Sequence, residues 1–459
     1  MACAGIPAQA MLPPMNTSRE HWGSRLGFVM AAAGSAVGLG NIWCFPYTAG
    51  ENGGGAFLLI YLAIVAVFGV SLLLAEVLIG RSTQRNPVGA LARLGGRWWS
   101  LVGLLGVLTG FVILSFYVVV AGWTVAYIGF AASGALSSTD PATLGALFQA
   151  FVGSFWSPLL YALFFMVLVA LTVSGGVARG IERANKVLMP LLFLLLLALV
   201  AHALTLDGSG AGVAFLLQPD FSKVTGATFS AALAQAFFSL SLGMGCMLTY
   251  GSYLSAHDRL GVATTSIISL DVLAAILAGL AIMPVVFAFG FNPEAGAGLT
   301  FITLPAAFAA MPGGAYIGPL FFLLLTVAAL TSAISILEPA ISFLTDERGW
   351  TRRRTVFVCA AVCLLLSVPS SLSMGAVDGL TLVGRSFFDA MDFTATNVMM
   401  PLGALLTAVF VGWVWGAGAL NALSDGRPIA WWARAWLFVL RFVAPPALLL
   451  IFLQSTGVL

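Results

Sequence analysis

The stretch "GSAVGLGNIWCFPY", Gly34 to Tyr47, decides how this chain is read. It lies within an apolar run of membrane-crossing length, yet it carries three glycines, an asparagine and a proline where a spanning helix should be smooth. An unpaired backbone group in hydrocarbon costs several kcal/mol, so a break at that depth is tolerable only where it is buried in protein or lines a cavity. A second stretch repeats the oddity: "QAFFSLSLGMGCMLTYGSY", Gln235 to Tyr253, with "SLSLGMG" at its centre. One glycine-rich span reads as close helix packing. Two in matching positions, each flanked by polar residues, read as a midplane binding site, where freed carbonyls face a cation and half-helix N-termini face an anion.

Composition fixes the class. Of 459 residues, 60% are hydrophobic and 8% charged, and the mean hydropathy is +1.04, which makes this a polytopic membrane protein. The net charge of +2 is scattered over short loops and gives no sign of nucleic acid. Apolar runs at 24–47, 55–80, 99–130, 157–175, 188–206, 229–254, 262–288, 315–344, 355–371, 386–414 and 432–453 predict eleven transmembrane helices in an all-α fold. The two breaks fall five spans apart. Five is odd, so the second set of five enters the membrane the other way up, and spans 1–5 and 6–10 read as inverted repeats. The layout is a cytoplasmic tail at 1–18, a first repeat at 19–206, an extracellular connection at 207–228, a second repeat at 229–416, and a loop with an eleventh helix at 417–459. The opening residues lack the pattern of a signal peptide.

Basic residues set the orientation. Arg81, Arg85, Arg93 and Arg97 follow the second span, Arg179, Arg183 and Lys186 the fourth, and Arg352, Arg353 and Arg354 the eighth, while Lys223 is the main exception elsewhere. Positive loops face the cytoplasm. This places the N-terminus inside and the C-terminus outside an inner, or plasma, membrane. Cys3, Cys44, Cys246, Cys359 and Cys363 form no disulfide framework or metal cluster. His21, His202 and His257 are scattered, with no HExxH or Ser–His–Asp pattern, so no enzyme is expected.

The motifs "REHWGSRLGF", "GSAVGLGNIWCFPY", "ENGGGAF", "QAFFSLSLG", "FITLPAAF", "LTSAISILEP" and "MDF" run in order from about Arg19 to about Trp415. Together they resemble the neurotransmitter:sodium symporter family in its bacterial amino-acid branch, with a leucine-transporter-like fold. The resemblance implies two sodium sites. The first uses the Ala36 carbonyl, the Asn41 side chain, Ser239 and Asp271, and is completed by the substrate carboxylate. The second uses the carbonyls of Gly34, Val37 and Ala328 with the hydroxyls of Thr331 and Ser332. Thr331 and Ser332 have a local alternative, which is to hydrogen-bond back to their own helix. Asp271 is an acid within the bilayer and marks a functional position. Many relatives carry asparagine there, and animal relatives complete the charge balance with chloride, so chloride independence is expected here.

By the same resemblance the substrate carboxylate meets the N–H groups of Leu39 and Gly40 and the Tyr117 hydroxyl. The ammonium group meets the carbonyls of Ala36, Phe238 and Ser241, with help from Ser239. Monoamine carriers place an aspartate where this chain has Gly38, so the substrate should bring its own carboxylate. Ile113, Tyr117, Phe238, Met244, Ser332 and Ile336 line the side-chain pocket. The pocket is mostly apolar, and its flexible Met244 suits several hydrophobic side chains. Arg19, Trp22, Ser252, Tyr253 and Asp346 match a cytoplasmic gate, with Arg19 and Asp346 as its ion pair. On the outer side Asp392 is present, but Cys44 stands where the family has arginine. Asp392 then takes a water or hydroxyl partner, or another cation such as Arg385 reaches it. Glu76 fits a position that hydrogen-bonds unwound backbone. Glu338 reads either as a proton-linked group or as a structural acid, protonated or bonded within its helix.

The expectation is a sodium-coupled importer of hydrophobic amino acids, aliphatic to aromatic, working by alternating access with Na+ as its only cofactor. Its partners are the amino acid and the lipid bilayer, and a monomer is sufficient for transport. Rival readings are a proton-coupled carrier, a carrier of another small zwitterion, or a non-transporting sensor or channel on the same scaffold.

Overall fold

A computed structural model of the chain describes residues 19–255, 258–293, 298–377 and 379–456. The expected tail at 1–18, with Cys3, and His257 lie outside the described residues. Apart from one small hairpin, in which Thr381 pairs with Ser386 and Leu382 with Arg385, the regular elements among the described residues are helical. Nine described helices are long and apolar enough to cross a membrane: Gly55–Thr83, Arg97–Ala132, Ser157–Ser174, Val177–Ala203, Leu260–Ala288, Gly314–Arg348, Arg352–Leu372, Phe387–Trp415 and Trp431–Ser455. A further pair, Arg25–Ala36 and Gly40–Glu51, passes the same test as one span bent by 46°.

The run expected at 229–254 is divided into Gly226–Ser239 and Cys246–Gly251, each too short to cross alone. Between them Ser241, Gly243 and Gly245 have φ of +54°, +78° and +75°. Left-handed backbone cannot continue a right-handed helix. For Ser241 that conformation is costly, and its hydroxyl offsets part of the cost by donating to the Ser35 carbonyl at 3.0 Å. Glu76 also holds this break, its Oε1 accepting from the Gly243 N–H at 2.7 Å.

The helix expected at 188–206 begins much earlier, at Val177. Its first turns carry Arg179, Glu182, Arg183 and Lys186, which dilute the hydropathy but do not stop the helix. Lys186 and Glu182 pair across one turn at 2.6 Å.

Arg97–Ala132 and Gly314–Arg348 form the centre of the bundle, with 72% and 78% of their apolar windows buried in protein, against 28% for Trp431–Ser455 at the edge. Lipid gives apolar helices little reason to associate, so close packing of small residues holds them together. A Cβ on Gly110 would come 2.9 Å from the Ile336 carbonyl, and one on Gly122 would come 2.7 Å from the Ala162 nitrogen. These two central helices carry one wall of the space between the broken helices.

Candidate binding site between the broken helices

At the first break the ladder slips. The Gly38 N–H turns to the Ala36 carbonyl at 3.0 Å rather than to Gly34, and the chain resumes in a wide turn over Gly40–Cys44. The Gly34 carbonyl thereby loses its helical donor. Its remaining contact is a long one, 3.4 Å from the Ser332 hydroxyl. The Ser35 carbonyl accepts from Ser241 at 3.0 Å and from Ser332 at 3.2 Å, so the two breaks and the Gly314–Arg348 helix meet there.

A cavity of about 20 Å³ lies at this meeting point. Its lining holds ten of the eleven residues expected around a substrate: Ala36, Leu39, Gly40, Ile113, Tyr117, Phe238, Ser241, Met244, Ser332 and Ile336, with Ser35 and Gly38 beside them. Ser239 is the exception. It turns away, donating to Asp271 Oδ1 and lying 3.1 Å from Asn41 Oδ1. The Tyr117 hydroxyl is buried without a hydrogen-bond partner among the described residues. A Cβ on Gly38 would stand 2.1 Å from Ser332 Oγ, which shows how little room a side chain has there.

Beside the cavity, Asn41, Ser239 and Asp271 form one buried cluster. The Asn41 amide donates to Asp271 Oδ1 at 2.8 Å and to the Asp271 carbonyl at 3.0 Å. Tyr61 donates to Asp271 Oδ2 at 3.2 Å, and Gln235 donates to the Gly40 carbonyl at 2.7 Å. Tyr61, Gln235 and Ser35 are not among the residues expected at this site. Gln235 and Ser35 did stand as polar residues within the quoted apolar stretches. Of the oxygens expected around the two cations, the Ala36 carbonyl is engaged by Gly38. Thr331 bonds back to Val327 at 3.3 Å and Ala328 at 2.9 Å on its own helix. A hydroxyl that donates backwards keeps its lone pairs free to accept, so this local bond leaves the Thr331 oxygen available.

At one end of the bundle, the five residues expected at the cytoplasmic gate lie together. Arg19 pairs with Asp346 at 2.5 Å and donates to Ser252 at 2.6 Å. Trp22 donates through its indole to the Tyr250 carbonyl at 3.0 Å and through its backbone to Tyr253 at 3.2 Å. Glu338 is not bonded within its helix. Arg352 grips both of its oxygens, at 2.9 and 2.7 Å, and Tyr253 donates to it at 2.7 Å. Periodicity could not supply that partner, because Arg352 lies beyond the turn on the next helix.

At the other end a vestibule of about 270 Å³ is lined by Trp43, Cys44, Tyr47, Phe116, Phe388 and Asp392, among others. Leu39, Tyr117 and Phe238 line both this vestibule and the inner cavity, and so form the partition between them. Among the described residues no ion pair joins Arg385 to Asp392. The guanidinium instead lies over the Phe393 ring at 4.0 Å.

The chain matches the family described as "Sodium:neurotransmitter symporter family" over residues 19–141 and 150–458. It is 41% identical over 444 residues to "Uncharacterized sodium-dependent transporter YhdH" of Bacillus subtilis, covering 95% of this chain and 98% of that protein. An "Uncharacterized sodium-dependent transporter" of Haemophilus influenzae is 36% identical, with 96% and 99% covered. Among solved structures, "Crystal structure of MhsT in complex with L-phenylalanine" superposes with a TM-score of 0.88 at 44% identity, covering 95% of this chain and 100% of that one.

Proposed function

We propose, from the premise that the chain belongs to the sodium:neurotransmitter symporter family, that it imports hydrophobic L-amino acids, aliphatic to aromatic, coupled to sodium. The family and the fold are those of secondary transporters, not enzymes, and the chain is a multi-pass membrane protein. One observation carries the finer reading. The cavity between the two broken helices is lined by apolar side chains, main chain and the hydroxyl residues Ser35, Tyr117, Ser241 and Ser332, holds no charged residue, and adjoins the buried Asn41–Ser239–Asp271 cluster. A zwitterion suits that setting. Its carboxylate lies near the Leu39 and Gly40 N–H groups, which open the resumed helix, and near the unpartnered Tyr117 hydroxyl. The related MhsT is solved with L-phenylalanine, an amino acid of this class.

Sodium is a co-substrate here. The oxygens of Ala36, Asn41, Ser239 and Asp271, together with the substrate carboxylate, form the first site. Gly34, Val37, Ala328, Thr331 and Ser332 form the second. The shared carboxylate makes coupling reciprocal: amino acid and first sodium raise each other's affinity by the same factor. One charge crossing 100 mV is worth about 2.3 kcal/mol, so two sodium ions supply about 4.6 from voltage alone. A thousandfold concentration ratio needs about 4.1 kcal/mol.

The rest of the proposal follows from the breaks. With the Gly226–Ser239 and Cys246–Gly251 pieces counted as one span, the chain has eleven, and spans 1–5 and 6–10 are inverted repeats. The Arg19–Asp346 end then faces the cytoplasm and the Cys44–Asp392 vestibule the outside. Asp271 supplies a fixed negative charge at the first cation, so transport is independent of chloride.

The test is uptake of a panel of labelled amino acids into proteoliposomes, with and without a sodium gradient, in chloride and in gluconate. The expected result is sodium-driven accumulation of leucine- to phenylalanine-like substrates that is unchanged in gluconate. Uptake that follows a proton gradient and ignores sodium would overturn the proposal.

A further inference from the structure

Asn185 lies on the Val177–Ala203 helix and is fully buried. Its Nδ2 donates to the Ile181 carbonyl at 2.9 Å, which fixes the orientation of the amide. The other end, Oδ1, is buried and has no hydrogen-bond partner among the described residues. It stands 2.1 Å from where a Cβ on Gly34 would be, and the Thr331 Cβ lies 3.2 Å from the same point. Asn185 and Thr331 therefore converge on Gly34, whose carbonyl has lost its helical donor at the break.

Buried acceptors without donors are costly, and native proteins leave few of them. Here an amide oxygen with no donor lies at a glycine whose own carbonyl keeps only a long 3.4 Å contact from the Ser332 hydroxyl. A hard cation satisfies such a group of oxygens, and asparagine carbonyls are ordinary ligands for one. Gly34 is required as well, because any side chain there would occupy the position of the amide oxygen.

We propose that the Asn185 side-chain oxygen is a further ligand for the second sodium, acting with the Gly34, Val37 and Ala328 carbonyls and the Thr331 and Ser332 hydroxyls. This rests on the sodium-symport reading and adds to it a ligand from the Val177–Ala203 helix. That helix then feels whether the cation is bound, through a side chain that is otherwise unsatisfied.

The test uses the purified full-length chain in detergent without amino acid. Thermal unfolding is followed while sodium replaces choline at constant ionic strength. An ion that binds the folded state raises the melting temperature, and the midpoint of that rise reports its affinity. Losing one oxygen ligand to a charged group predicts that Asn185→Ala raises the midpoint about tenfold. Asn185→Asp, which keeps an oxygen and adds charge, lowers it. Combining Asn185→Ala with Thr331→Ala shifts the midpoint by less than the sum of the two, since both act on one ion. If Asn185→Ala and Asn185→Asp both keep the wild-type midpoint while melting lower in choline, Asn185 only packs helices and the proposal is overturned. A wild type that sodium does not stabilise at all would instead overturn the sodium reading beneath it.

Discussion

Replacing Gly38 by alanine adds one methyl group at the centre of the site, and the structure says what it meets. The new Cβ would lie 2.1 Å from Ser332 Oγ and 3.1 Å from Ser332 Cβ, closer than a carbon and an oxygen can approach. Gly38 has no positive φ, so the backbone accepts alanine and the cost falls on Ser332. That side chain sits on the central Gly314–Arg348 helix and has little freedom to retreat. It yields by rotating its hydroxyl away, which breaks the 3.2 Å bond to the Ser35 carbonyl. A lost buried hydrogen bond and local overpacking each cost about 1–3 kcal/mol. They describe one rearrangement, so about 2 kcal/mol is expected, equivalent to about thirtyfold in affinity. The assay is equilibrium binding of labelled phenylalanine to the purified protein at saturating sodium. Gly129→Ala is the control, because a Cβ there meets nothing within 4 Å, and it should change affinity by less than about threefold. A folded Gly38→Ala protein with wild-type affinity would refute the placement of Gly38 and Ser332 at the substrate.

Two further predictions concern the end of the bundle closed by Arg19. Arg19→Ala removes the ion pair with Asp346 and the bond to Ser252, leaving Asp346 with the Asn86 backbone and side-chain N–H groups at 3.2 Å. For a half-buried pair this is worth about 1–2 kcal/mol, so hydrogen exchange of the Trp22 amide should accelerate about 5–30-fold. An unchanged rate would mean that Arg19 does not hold this end shut. Glu338→Gln leaves the Arg352 guanidinium without its main counter-charge, although Glu20 remains at 3.6 Å. The expected loss is about 3 kcal/mol of stability, seen as a lower melting temperature and largely recovered by adding Arg352→Gln. A double-variant loss equal to the sum of the two single losses would count against a direct pair.

Cys44 stands where the family resemblance leads one to expect an arginine, and it lines the same vestibule as Asp392. Asp392 lines the vestibule with aromatic rings around it, and Arg385, the alternative partner, stacks on Phe393. Of the two outcomes left open by the sequence, an ion pair with Arg385 is not the one the fold adopts.

The sequence by itself settled the membrane class, the two breaks and the family. Each of these is written locally. The bilayer demands that every backbone group be paired, so glycine, proline and polar residues within an apolar run mark the place where that rule is relaxed. Residues within one motif, such as Ala36 to Asn41 or Thr331 and Ser332, are adjacent in the chain and stay together in the fold. Only the tertiary structure brought Asn185 to Gly34, Tyr61 to Asp271, Gln235 to the Gly40 carbonyl and Arg352 to Glu338. Most of these partners sit on different helices far apart in the chain, and a central helix such as Gly314–Arg348 is apolar around most of its length. A helix without a polar face carries no stripe to say which side meets protein and which meets lipid. Its rotation about its own axis is decided by packing, and that rotation determines which polar side chain reaches which unsatisfied oxygen.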